Sequence, residues 1–334
     1  MIELAVIGAG RIGAVHAGNL HRHPDAKVRY VVDVDERAAA DLAARCGARV
    51  ASATDVLADR DVAAVVIATS TDTHTHLIGL AAAARKAIFC EKPIDLDVDR
   101  ARAALHAVNR QGVQLAIGFN RRHDPSFRKV RDDVAAGAVG TVEFVGITSR
   151  DPAPPPADYV ARSGGLFRDM MIHDFDMARW LLGEEPVLAY AAGSVLFDRN
   201  IGEAGDVDSA VALLKTQSGK LCSISNARHS SHGYDQRIEV FGSSGMLQAG
   251  NEVAKAVPEA DASGSHGDAD VPFFLQRYKD AYRIQIDRFL RRLSGEAVEL
   301  ADGVDGLRAL ILADCAQKSM LEGQPVAVDP KRSV

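Results

Sequence analysis

Ile2-Glu3-Leu4-Ala5-Val6-Ile7-Gly8-Ala9-Gly10-Arg11-Ile12-Gly13 is the stretch on which the fold turns. The apolar run Glu3-Ile7 reads as a strand, and a helical segment opens as the glycines end. Gly8 permits a tight turn, Gly10 lets the backbone approach an anion, and Gly13 allows the helix to pack closely on the strand. The helix N-terminus, with Arg11 and Ile12 in the turn, then faces a site suited to a pyrophosphate. Three glycines alone also fit an ordinary strand-to-helix turn. Asp33 adds weight, because it lies 20 residues beyond Gly13, where the second strand ends. A carboxylate there accepts both ribose hydroxyls of an adenosine and repels a 2′-phosphate, which favours NAD over NADP, although Arg37 is near enough in sequence to neutralise a phosphate.

Outward from this turn, strands are expected at Val28-Val32, Ala63-Ala68, Ala87-Cys90 and Val113-Gly118, with helices at Glu36-Cys46, Thr75-Ala84 and Val98-Asn109. Such alternation means a parallel sheet with helical crossovers, hence an N-terminal doubly wound (Rossmann) α/β domain over residues 1–120. Residues 121–334 read differently. A helix at Pro125-Ala136, a strand at Val142-Ser149 and a proline-rich stretch at 151–156 precede one long apolar helix, Leu166-Leu182. Strand-like runs then follow in succession at Val187-Leu196, Asp208-Leu214, Leu221-Asn226, Arg237-Phe241 and Met246-Gln248, which predicts an α+β domain with a mostly antiparallel sheet. The polar segment 258–270 reads as a mobile surface loop, and helices at Phe273-Leu293 and Val304-Met320 close the chain, the last able to pack back on the first domain.

Composition narrows the functional classes. The chain carries 39 Lys+Arg against 45 Asp+Glu, a formal charge of -6, with no basic cluster, which argues against nucleic-acid or membrane-surface partners. Its four cysteines, Cys46, Cys90, Cys222 and Cys315, have neither metal-site nor disulfide spacing and read as buried thiols of a reducing compartment. No leader precedes the first strand and no apolar run approaches a membrane span, so a cytoplasmic protein is expected. His74 and His76 form an HxH without a third ligand nearby, and no metal is expected. His16, His21 and His23 are expected toward the solvent end of the first helix.

Two places offer chemistry. Cys90-Glu91-Lys92-Pro93 stands at the carboxyl end of a parallel strand, where ligands of such sheets bind, and the proline restricts the backbone of Lys92. On the apolar helix, Asp169, His173 and Asp176 share one stripe at 100° per residue. Polar groups on a buried helix must find partners or face a cavity, and an Asp beside a His holds the tautomer in which the other ring nitrogen is a free base. An isolated lysine on the surface or a structural Asp-His pair would be the plain alternative.

Taken together, Gly8 to Gly13, the run Ala68-Thr69-Ser70-Thr71-Asp72-Thr73-His74, Glu91-Lys92-Pro93 and the Asp169/His173 helix resemble the glucose-fructose oxidoreductase/inositol dehydrogenase/rhizopine catabolism (Gfo/Idh/MocA) family over nearly the whole chain. Gly118 to Asp124, Ser149 to Pro154 and Gly233 to Arg237 are similar to its inositol 2-dehydrogenases, with Asp151 where some relatives carry Asn. The resemblance implies a second domain whose open sheet serves as an oligomer interface, commonly in a tetramer. It also implies NAD bound by the glycine turn, Asp33, Thr69, Ser70, Thr73, His74, Glu91 and Lys92, and a catalytic set of Lys92, Asp169 and His173. The implied reaction is oxidation of a cyclic polyol, myo-inositol to its 2-keto product, in inositol catabolism. A polyol must be recognised by convergent hydrogen bonds, for which Arg121, Asp151 and Tyr234 are further candidates. The alternatives are the same chemistry on scyllo-inositol or an aldose, and a non-catalytic NAD-binding sensor or regulator.

Overall fold

Strand and helix signals at the start of the chain resolve into a parallel sheet. The computed structural model describes residues 1–251, 259–261, 264–266 and 273–329. The first part runs β1 (Ile2–Ile7), α1 (Arg11–Arg22), β2 (Ala26–Val32), α2 (Glu36–Cys46), β3 (Arg49–Val50), α3 (Ala53–Ala58), β4 (Ala64–Ile67), α4 (His74–Ala83), β5 (Ala87–Cys90), α5 (Val98–Gln111) and β6 (Leu115–Ile117). The sheet order is β3-β2-β1-β4-β5-β6, with all pairings parallel, so the topology reverses between β1 and β4. Local chemistry sets the helix ends. Asp35 caps α2 through the N–H groups of Arg37 and Ala38, Asp97 caps α5 through Arg100, and Gly47 and Gly112 end them in the left-handed region at φ 63°. The exposed two-residue β3 and the six-residue α3 were not expected, since neither is long enough to show a period.

The remainder runs α6 (Pro125–Ala135), β7 (Val142–Arg150), α7 (Ala157–Ser163), α8 (Gly165–Asp169), α9 (Ile172–Leu182), β8 (Pro186–Ser194), α10 (Arg199–Glu203), β9 (Ser209–Thr216), β10 (Leu221–Ala227), β11 (Asp235–Gly242), β12 (Gly245–Ala249), β13 (Glu259–Asp261), β14 (Gly264–His266), α11 (Phe274–Arg277), α12 (Lys279–Leu293), α13 (Gly303–Glu322) and β15 (Val326–Ala327). Its main sheet is ordered β12-β11-β7-β10-β9-β8-β15 and is antiparallel except for the β7/β10 pair. Within the expected loop at 258–270, β13 and β14 pair antiparallel; the rest of that segment lies outside the described residues.

Two compact units emerge among the described residues: Met1–His123 with Ala281–Leu310, and those of Asp124–Asp280 with 311–329. In the first, α12 places Ile286, Phe289 and Leu290 into the core with Leu4, Val6, Val28, Val66 and Phe89. In the second, an ion pair between Arg277 and Asp124, both almost fully buried, fastens α11 to the cap of α6, where Asp124 also accepts from Ser126 and Phe127.

Two long helices expected from hydrophobicity are broken. The run Phe273-Leu293 divides at Tyr278 into α11 and α12. The run Leu166-Leu182 divides at Met170-Met171, because the Leu166 carbonyl accepts from both Met170 N (3.0 Å) and Met171 N (2.9 Å). That extra residue in the turn shifts the phase of everything after it.

Candidate functional site

In the first unit, the candidates gather where the parallel strands end, the edge at which open α/β sheets bind ligands. A Cβ on Gly8, at φ 106°, would lie 2.4 Å from the Ala68 carbonyl oxygen, and one on Gly13 would lie 1.8 Å from the Gly8 oxygen. Gly10 differs: a Cβ there meets nothing within 4 Å, so that space is open. Asp33, one residue past β2, accepts from Ala9 N at 2.5 Å and from Asp35 N at 2.9 Å, tying the acid to the glycine turn. After β4, Thr69 and Thr73 share a hydroxyl hydrogen bond of 2.6 Å, and Thr73 donates to the Ser70 carbonyl. These placements fit a dinucleotide: a tight turn, an open backbone cradle at Gly10, and a carboxylate tied to that turn past the end of the second strand.

Beyond β5, the peptide bond between Lys92 and Pro93 is cis and Lys92 is half-buried. Beneath it, the buried His74 ring contacts the Pro93 carbonyl at 2.8 Å and the Thr69 carbonyl at 3.2 Å, joining the two loops. Burial outweighs those carbonyls and lowers the imidazole below its ordinary range. His16 was expected near solvent but is fully buried. Its Nε2 lies 2.6 Å from Glu91 Oε1, and its ring is edge-on to Phe89 and Tyr282. The Glu91 carboxylate lies against Gly118, where a Cβ would come within 2.7 Å of its Cδ. Arg121, in the 3-10 turn Asn120–His123, is buried.

In the second unit, register gathers the other candidates. Arg150 pairs with Ala227 on one side and Asp235 on the other, so Asp151, Arg228 and Tyr234 all stand at one end of the sheet. The Asp151 N–H donates to the Ala227 carbonyl at 3.0 Å. Tyr234 is buried edge-on to Tyr278 and Phe273. The α8/α9 break sits over the same sheet through Asp174, which accepts from Ser149 Oγ at 2.6 Å and Asn226 Nδ2 at 2.9 Å. Every residue of α9 is buried except His173, which remains partly accessible. Asp169 accepts from Tyr159 at 2.8 Å and from Arg228 at 3.4 Å. Tyr159 is 44% exposed overall, yet enclosure of its hydroxyl and the Asp169 carboxylate push the phenol well above its ordinary range. The third member of the expected stripe, Asp176, is buried against Arg179 at 3.6 Å, whose guanidinium also binds Glu185; this pair is structural.

Tyr159 and Arg228 were missed by sequence reasoning. Both reach Asp169 from segments distant in the chain, and neither sits in a spacing that marks a site. Among the described residues, no group of three or more His, Cys, Asp or Glu could hold a metal ion, and no helix is long and apolar enough to cross a membrane.

A two-unit chain with a glycine cradle on a parallel sheet and a polar cluster at the end of a mixed sheet defines a dinucleotide-dependent oxidoreductase. Residues 2–119 match the model described as oxidoreductase family, NAD-binding Rossmann fold, and residues 127–248 match the GFO/IDH/MocA C-terminal domain. The chain belongs to the Gfo/Idh/MocA family, and its cofactor is NAD. It is 47% identical to an inositol 2-dehydrogenase of Rhizobium meliloti, over 98% of this chain and 99% of that one. It is 42% identical to a myo-inositol 2-dehydrogenase of Thermotoga maritima, again over 98% and 99%. The crystal structure of a scyllo-inositol dehydrogenase from Lactobacillus casei, with NAD(H) and scyllo-inositol bound, superposes with a TM-score of 0.91 at 27% identity, covering 98% of this chain and 99% of that one.

Proposed function

We propose that the protein oxidises a cyclic polyol with NAD, taking myo-inositol to its 2-keto product. The observation that carries this reading is the shared sheet end at which Asp151, Arg228 and Tyr234 stand beside the Asp169/His173 break. A ring bearing a hydroxyl on every carbon has no apolar handle, and a carboxylate and a phenol gathered beside an Asp/His pair suit it. The names of the relatives at 47% and 42% identity support the same substrate. NAD, when bound, supplies the hydride acceptor.

The glycine turn with Arg11 and Ile12 receives the pyrophosphate, and Asp33 receives the adenosine ribose. Thr69, Ser70, Thr73, Glu91 and Lys92 line the rest of the cofactor path, with His74 holding their loops together from below. His173, the accessible residue of α9, takes the hydroxyl proton. Asp169 orients the imidazole and stabilises it once charged, and Lys92 donates to the oxygen as alkoxide develops. Arg121, Asp151 and Tyr234 hold other ring hydroxyls.

Initial rates with NAD and NADP against myo-inositol, scyllo-inositol and glucose test this. The expected result is the highest kcat/KM for myo-inositol with NAD, and a fall of roughly 10²-fold or more in Lys92→Ala and His173→Ala. A pyranose turning over far better than myo-inositol rejects the substrate; variants within a few-fold of the parent reject the roles and favour a sensor.

The enzyme is further proposed to work in the cytoplasm, in inositol catabolism, as a homotetramer. Supporting assembly, part of one face of the second sheet is apolar and exposed. Leu221, Phe144, Phe241 and Met246 follow one another across four strands, and Leu213 lies opposite Tyr190. Leu213 is 53% exposed and Met246 53%, a cost that a second copy of the chain would remove.

A further inference from the structure

Arg228 is the largest fully buried side chain of the described residues, with 1% of its surface exposed. It leaves the end of β10 with its backbone N–H bonded to the Asp208 carbonyl at 2.8 Å. A buried guanidinium is costly unless carboxylates meet it, and two do. Nη1 faces Asp169 Oδ2 at 3.4 Å, and Nη2 faces Asp206 Oδ2 at 3.3 Å.

The second carboxylate explains what the first is for. Asp206 Oδ1 accepts from the backbone N–H of Leu166 at 3.0 Å, and it lies so close to the chain that a Cβ on Gly165 would come within 2.9 Å of it. Leu166 and Asp169 are three residues apart, at the two ends of the single turn α8. The path Leu166 N–H, Asp206, Arg228, Asp169 therefore closes on itself around that turn. The clamp matters because α8 lacks the support of a longer helix: it ends at the doubled hydrogen bond that Leu166 accepts from Met170 and Met171, and His173 follows two residues later. Tyr159, on α7, takes the other oxygen of Asp169. Arg168, on the same turn, is bonded separately to Asp314 and Gln317, so the turn is held on a second side without touching Asp169.

We propose that Arg228 is a positioning residue for the reaction, which aims the Asp169 carboxylate by clasping it and Asp206 across one helical turn. The inference rests on Asp169 serving the chemistry as set out above. Arg is suited to the task because its planar fork engages two carboxylates in fixed directions, which the single ammonium of a lysine does not.

A double-mutant cycle on the full-length enzyme tests it, with NAD reduction by myo-inositol as the rate and calorimetric NAD titration alongside. Arg228→Met is expected to lower kcat by roughly 10²-fold, as misplacement of a catalytic group by about 1 Å does, while NAD affinity stays within about twofold. Arg228→Lys is expected to recover part of the loss. In Asp169→Asn, the further change Arg228→Met is expected to add less than about threefold, since a residue acting only through Asp169 has nothing left to aim. Full additivity of the two substitutions overturns the inference, as does parent-like kcat in Arg228→Met; where that variant does not fold, Arg228→Lys in the same cycle decides. An Asp169→Asn enzyme as fast as the parent instead removes the reading of Asp169 itself, and the inference with it.

Discussion

Gly10→Ala and Gly13→Ala look alike in sequence and are expected to fail in different ways. At Gly13 the added Cβ would lie 1.8 Å from the Gly8 carbonyl oxygen, a backbone atom that cannot rotate away. An ordinary carbon-oxygen contact is over 3 Å, so α1 must retreat from β1 by more than about 1 Å, pulling Ala17 and Leu20 from the core they share with Leu4 and Val6. Overpacking of this kind costs about 3 kcal/mol or more without any ligand present. At Gly10 the same methyl meets nothing within 4 Å, and the backbone, at φ -67° and ψ -171°, suits any L-residue. Losing glycine freedom in the unfolded chain returns about 0.4–1 kcal/mol, offset by the poorer N-cap that alanine makes, so stability should stay within about 1 kcal/mol of the parent. The open space is nonetheless where the pyrophosphate must come close to the backbone. NAD affinity should therefore fall about 10–100-fold, or roughly 1.4–2.7 kcal/mol. Urea melts of the cofactor-free proteins and calorimetric NAD titrations separate the effects. A Gly10→Ala protein that binds NAD as tightly as the parent would refute the assignment of that space to the cofactor; one destabilised as much as Gly13→Ala would refute the steric argument.

Replacing His16 by Phe keeps the ring packing against Phe89 and Tyr282 but strips Glu91 of its 2.6 Å partner, so a loss of about 2–3 kcal/mol is expected in urea melts, partly recovered by adding Glu91→Met. Unchanged stability in His16→Phe would show that the pair contributes nothing. Burial alone would raise the Asp208 carboxyl, but the N–H groups of Asp198, Phe197 and Leu196 and the Ser209 hydroxyl more than offset it and hold the group below its ordinary value. The folded form thus binds this proton less readily than the unfolded chain, so its stabilisation is present above about pH 3.9 and is lost as pH falls through the lower folded value. Asp208→Asn should be less stable at pH 7 and lose less on acidification than the parent; an identical loss in both would exclude Asp208 from the acid response. Leu213→Glu, in the exposed apolar stretch of the second sheet, should dissociate the proposed homotetramer with the secondary structure intact, and an unchanged mass by light scattering would reject that stretch as its interface.

Much of the fold was legible because its signals are local. The turn from Gly8 to Gly13 requires small residues at fixed offsets, and the alternation that follows it dictates parallel strands, so Asp33 and Lys92 could be assigned to strand ends from order alone. Helix caps such as Asp35, Asp97 and Asp124 act on residues two or three positions away, which keeps their meaning inside a short window. The single helix expected over Leu166-Leu182 failed for a reason outside that window. No proline marks the break at Met170-Met171, and the clasp on α8 comes from Asp206 and Arg228, some 40 and 60 residues away in sequence.

His16 shows the same limit from the other side: α1 alone does not reveal that Tyr282 and Glu91 will close over its ring. Spacing along the chain determined which strands, turns and helices form and where the cofactor edge lies, because hydrogen-bonding geometry and side-chain period act over a few residues. Which oxygen of Asp169 is held, by which phenol and which guanidinium, was decided by tertiary packing alone, since a buried charge takes whatever partner the register of distant strands delivers.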